Sequence, residues 1–131
     1  MDERTRSSRR LSPGKVSTLV GLVDRADGAI VSRTLIDGPG GSVTLFSFDA
    51  GQALSEHTAP YDALVHVLDG EGEFTIAGET HRVGSGEIVL MPADLPHAVR
   101  AVVPFKMLLV MVKSEGGIRL AHPPRDADPA R

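Results

Sequence analysis

The feature that most restricts this chain is how often it is interrupted. Between Ala29 and Lys113, glycine, proline or an Asp-Gly pair recurs every few residues, so only short segments can form. Those segments carry apolar residues in an extended pattern. "SVTLFSFDAG" alternates, with Val43, Leu45 and Ser47 on one face and Thr44, Phe46 and Phe48 on the other. "AIVSRTLID" precedes it, before the "GPGG" break, and "QALSEHTAP" follows and ends at Pro60. "DALVHVLDG" is apolar on both faces, which predicts burial on both by a second sheet or a partner subunit, and its Asp69-Gly70 is a hairpin signal. "GEFTIAGETHRVGSGEIVLMP" supplies three strands, and "HAVRAV" and "FKMLLVMV" complete the set on either side of Pro104. About nine or ten short strands with glycine turns predict an all-β sandwich or barrel. One helix is expected, within Lys15 to Gly28, where Val16, Leu19, Val20 and Val23 fall at helical spacing.

A chain of 131 residues suffices for one compact domain, and 41% apolar residues give it a core. The absence of cysteine excludes disulfides, cysteine zinc sites and thiol nucleophiles, and fits a reducing, cytoplasmic setting. A net charge of −3, one tyrosine, four phenylalanines and no tryptophan give neither the charge nor the stacking surfaces that nucleic acid needs. Residues 1–14 are expected to form a disordered basic arm, 15–113 the barrel, and 114–131 a disordered tail that carries His122. Arg9-Arg10 superficially resembles an export signal, but Pro13-Gly14 and the lack of an apolar run argue against one. No window has the roughly 18 apolar residues of a membrane helix.

Two stretches carry the chemistry. The first, within residues 51–70, is Gly51, five residues, His57, then Ala59, Ala63 and Gly70; the second, within 86–101, is Gly86, five residues, Pro92, four residues and His97. Fifteen residues separate Gly70 from Gly86. On these residues the chain resembles the small single-domain bacterial cupins over roughly Ile30 to Val112. The resemblance implies a jelly-roll β-barrel with a divalent transition metal inside, held by three histidines and a glutamate. The glycines, His57, Pro92 and His97 match the family pattern. Ala59 stands in place of a histidine, Ala63 in place of the glutamate, and Asp94 and Ala101 also depart.

Two imidazoles are few ligands for a divalent ion, so other residues must be weighed. Asp62 adjoins Ala63 at the bend after Pro60 and offers a carboxylate; its ordinary role would be turn capping. His66 lies three residues beyond Ala63 and on a regular strand faces the opposite side. Tyr61 can present a hydroxyl to the cavity as acid, base or donor, and the imidazoles of His57 and His97 can serve as a proton-transfer pair. Glu56 and His81 read as outward-facing, and Met91, Met107 and Met111 as packing residues, with Met91 placed to line the cavity. The expectation is a cupin that binds a small molecule, with or without a divalent metal, through His57 and His97. The alternative is a metal-dependent enzyme of dioxygenase, lyase or isomerase type with an incomplete ligand set. A homodimer is expected from the resemblance and from the two-sided apolar strand.

Overall fold

The structure, a computed structural model, describes residues 11–114. Both expected tails extend beyond that range. Among the described residues, nine strands follow a single 3-10 turn at Leu19–Leu22: β1 (Ile30–Gly38), β2 (Gly41–Phe48), β3 (Ala53–His57), β4 (Tyr61–Asp69), β5 (Glu71–Ile76), β6 (Glu79–Gly84), β7 (Ile88–Met91), β8 (His97–Arg100) and β9 (Phe105–Lys113). They form two antiparallel sheets, ordered β1-β2-β9-β4-β7 and β3-β8-β5-β6. The chain crosses repeatedly between the sheets, as a jelly roll does.

Alternation decides which side chains enter the sandwich. On β4, Ala63, Val65 and Val67 point inward and are at most 4% exposed, while Leu64 and His66 lie on the outer face. The inward residues join Phe48, Phe74, Val83, Met91, Val99, Phe105 and Met107 in one core. Phe105 stacks on Phe48, with ring centroids 4.7 Å apart, and meets Phe74 edge-on at 6.0 Å. Two glycines permit this packing. Gly70 takes φ 75°, and a β-carbon there would strike the Pro104 carbonyl; one on Gly72 would lie 2.7 Å from the Phe105 ring.

The helix expected between Lys15 and Gly28 reduces to that one 3-10 turn, and residues 20–23 lie as a strap against the outer face of the five-stranded sheet. Two of its carbonyls accept hydrogen bonds from that sheet. Lys106 donates to the Val20 carbonyl at 2.9 Å, and Arg33 donates to the Leu22 carbonyl at 3.0 Å. Thr18 and Val23, on either side of the turn, have extended backbones. Val23 is buried, but Val16 is 95% exposed, so the apparent helical stripe is not a buried face. Tertiary contacts have overridden a weak local preference. The strap also explains why both faces of β2 are buried, with Leu45 and Ser47 beneath it and Phe48 in the core.

Burial of both faces of β4 is met only on the inside. Leu64 is 38% exposed, beside Leu90 at 39% and Ile88 at 62% on the neighbouring edge strand. Among the described residues, no helix is long and apolar enough to cross a membrane.

Candidate functional site

His57 closes β3 and His97 opens β8, and the two are direct cross-strand partners. Their rings meet edge to face, with centroids 4.4 Å apart. A bulge makes this possible. Leu54 pairs with Val99 and His57 with His97, so β3 holds one more residue than β8 between the two pairs. On a regular strand, Leu54 and His57 would face opposite sides; with the bulge, both line the same cavity.

Backbone carbonyls orient both rings. His57 Nδ1 lies 2.8 Å from the Ser55 carbonyl oxygen, and His97 Nδ1 lies 3.1 Å from that of Leu95. A carbonyl only accepts, so each Nδ1 carries the hydrogen. Each Nε2 of the neutral ring is therefore left with a lone pair, able to accept a hydrogen bond or to bind a metal. His97 is only 7% exposed, whereas His57 is exposed at the mouth.

The cavity between the sheets holds about 70 Å³. Its walls are mostly apolar, from Leu54, Ala59, Ala63, Met91, Val99, Met107, Leu109 and Met111. Among the lining residues, His57, His97 and Tyr61 carry polar side chains. The turn that delivers His97 is tied to the strand that follows His57. Ala93 N–H donates to Asp62 Oδ1 at 2.9 Å, and Asp94 N–H donates to the Ala59 carbonyl at 2.8 Å. Asp94, which departs from the motif glycine, takes φ 66°; aspartate is among the few non-glycine residues that tolerate this left-handed conformation.

The structure brings His57, His97 and Tyr61 together and leaves the other weighed residues outside. Asp62 does not line the cavity, and its carboxylate is engaged by the Ala93 amide across the loop. His66 sits on the outer face, between Leu108 and Ile88 in the pairing. Glu56 is exposed, and His81 pairs with Glu79 at 3.7 Å on the surface. Among the described residues, no group of three or more histidines, cysteines or carboxylates could hold a metal. The residues present therefore do not fit a three-histidine, one-glutamate metal. Met111 and Leu109 are wall residues that sequence reasoning did not place; the alternation of "FKMLLVMV" puts Met107, Leu109 and Met111 on one face.

Two packed antiparallel sheets around a small histidine-bearing cavity define the class as a compact jelly-roll barrel. Residues 44–112 match the family model described as the cupin domain, so the chain belongs to the cupin family. It is 43% identical to a conserved protein of unknown function from Streptococcus pyogenes, over 80% of this chain and 92% of that one, with a TM-score of 0.77. A cupin 2 conserved barrel domain protein from Leptotrichia buccalis is 44% identical over 72% of this chain and 46% of that one, with a TM-score of 0.70. A cupin superfamily protein from Desulfitobacterium hafniense is 25% identical over 79% and 95%, with a TM-score of 0.75. No functionally curated protein matches the chain.

Proposed function

We propose that this protein is a cytoplasmic binding module whose barrel cavity takes up a small ligand through Nε2 of His57 and Nε2 of His97. The observation that carries the reading is the pair of Nδ1 contacts to the Ser55 and Leu95 carbonyls. They leave two ring nitrogens as acceptors at the polar end of an otherwise apolar cavity. A ligand suited to it is compact, with an electrophilic or hydrogen-donating end for the imidazoles and an apolar remainder for the methionine and leucine wall. The uncovered outer residues Leu64, Ile88 and Leu90 support a homodimer through the five-stranded sheet.

The test is native mass spectrometry and elemental analysis of untagged protein, beside His57→Ala and His97→Ala. The reading expects a bound species on the parent that both variants lose while remaining folded. A species retained unchanged by both contradicts it. A monomer by light scattering contradicts the dimer. A second reading, turnover of the bound molecule, is favoured by Tyr61, which lines the same cavity as both histidines. Under that reading, Tyr61→Phe loses turnover and keeps binding.

A further inference from the structure

The structure turns His66 away from the cavity, onto the outer face of the five-stranded sheet. Its surroundings there are apolar. One row across β9, β4 and β7 reads Val110, Leu64, Leu90, and the next reads Leu108, His66, Ile88. Leu64, Leu90 and Ile88 are 38%, 39% and 62% exposed, and His66 is half-buried among them. The alternation that sends Ala63, Val65 and Val67 inward therefore leaves a histidine in the middle of an uncovered apolar patch.

The shape and charge of this face suit a second copy of itself. The strap lies over the half nearer β1, bonded to Arg33 of β1 and Lys106 of β9, and leaves β4 and β7 bare. The face is thus a step, with a raised half and a sunken half. A flat partner meets only the raised half. A second copy, turned about a two-fold axis, sets each strap over the bare half of the other. The charges agree. From Leu11 to Val23 the chain carries Lys15 and no acid. Residues 61–69 and 84–91 carry Asp62, Asp69 and Glu87 and no lysine or arginine. Val20, 37% exposed on the strap, adds an apolar contact.

We propose that this face joins two copies of the chain and that His66 makes the association proton-sensitive: the pair holds while both rings are neutral and separates when they gain charge. The inference rests on the dimer reading above and supplies its contact surface and its regulation. Histidine is the side chain that ordinarily changes charge between about pH 5 and 8. Covering the patch takes both rings out of water, and a charged ring resists that transfer unless an acid receives it. Among the described residues, no carboxylate pairs with His66. On β9 the charged residue of this face is Lys106, a like charge, held by the Val20 carbonyl. β7 presents Ile88 and Leu90. Glu87, just before β7, accepts from the Gly84 amide, and Asp62, on the same strand as His66, accepts from the Ala93 amide. Asp69 is exposed beyond a register shift at the end of β4.

The experiment is light scattering and sedimentation of untagged full-length protein over a concentration series, at about pH 8 and about pH 5. The expected result is a dimer at the higher pH whose dissociation constant rises at least about tenfold at the lower. His66→Gln, neutral at both, should dimerise equally at both. His66→Arg, charged at both, should be monomeric at both. Leu90→Asp should weaken the dimer at the higher pH. Circular dichroism checks that each variant is folded. A parent dimer with the same dissociation constant at both pH values overturns the inference and leaves the dimer reading standing. So does a His66→Gln variant that keeps the parent's pH dependence, or a His66→Arg variant that dimerises as tightly as the parent. A Leu90→Asp variant with unchanged association overturns the assigned surface. A parent that is monomeric at the higher pH overturns the dimer reading itself.

Discussion

The interior of the barrel has two unlike ends. At one, Phe48, Phe74 and Phe105 are at most 2% exposed and fill the space between the sheets with stacked and edge-on rings. At the other, the same two sheets carry Ala59, Ala63, methionines and two histidines, and leave about 70 Å³ unfilled. Strands β4, β8 and β9 pass through both ends, so the difference lies in side-chain volume rather than in topology. The aromatic end holds the sheets together, and the open end can then keep polar groups and free space.

Substitutions at the two ends should separate stability from binding. Phe105→Ala should cost the most, about 3–5 kcal/mol, because it removes a ring that touches Phe48 and Phe74. Urea unfolding measures it, and a loss below about 1 kcal/mol would mean that the aromatic end is not the anchor. Gly72→Ala should cost about 1–3 kcal/mol, since its new methyl group would meet the Phe105 ring at 2.7 Å and the ring has no room to move. Ala63→Val, at the open end, should change stability by less than about 1 kcal/mol, because the added methyl groups enter free space. The same substitution should weaken ligand binding in the native mass spectrum.

The smallest effect belongs to the clasp that ties the strap to the barrel. Asp49 accepts hydrogen bonds from the Gly28 amide at 2.6 Å and the Ala50 amide, and with Arg25 3.1 Å away these hold its carboxyl below the usual carboxylate range. A depressed folded-state value means that the contribution is present above the unfolded carboxyl range and is lost as pH falls through the folded value. Asp49→Asn should therefore flatten the acid limb of a stability–pH curve slightly and leave neutral and alkaline pH dependence unchanged. An acid limb identical to that of the parent would show that the clasp does not contribute.

Much of this is legible in the sequence. The glycine and proline breaks separate the strands, and the spacing of Gly51, His57, Gly70, Gly86 and His97 is the family's own. The strap was not legible, because Val16, Leu19, Val20 and Val23 mimic a helical stripe and the donors that hold the segment, Arg33 and Lys106, lie far along the chain. Nor was the fate of Asp62, whose partner Ala93 is 31 residues away. The bulge that turns His57 inward depends on its pairing with β8. Likewise, the flanking of His66 by Leu108 and Ile88 depends on the strand order β9-β4-β7, and no local pattern encodes non-consecutive neighbours.

The central claim is that both imidazoles turn a bare Nε2 toward the cavity. Long-range proton–nitrogen correlation NMR on histidine-labelled protein, at alkaline pH, reads the tautomer of each directly. The account predicts that His57 and His97 are both protonated at Nδ1, with Nε2 unprotonated. A hydrogen on Nε2 of either ring in the ligand-free protein would contradict it.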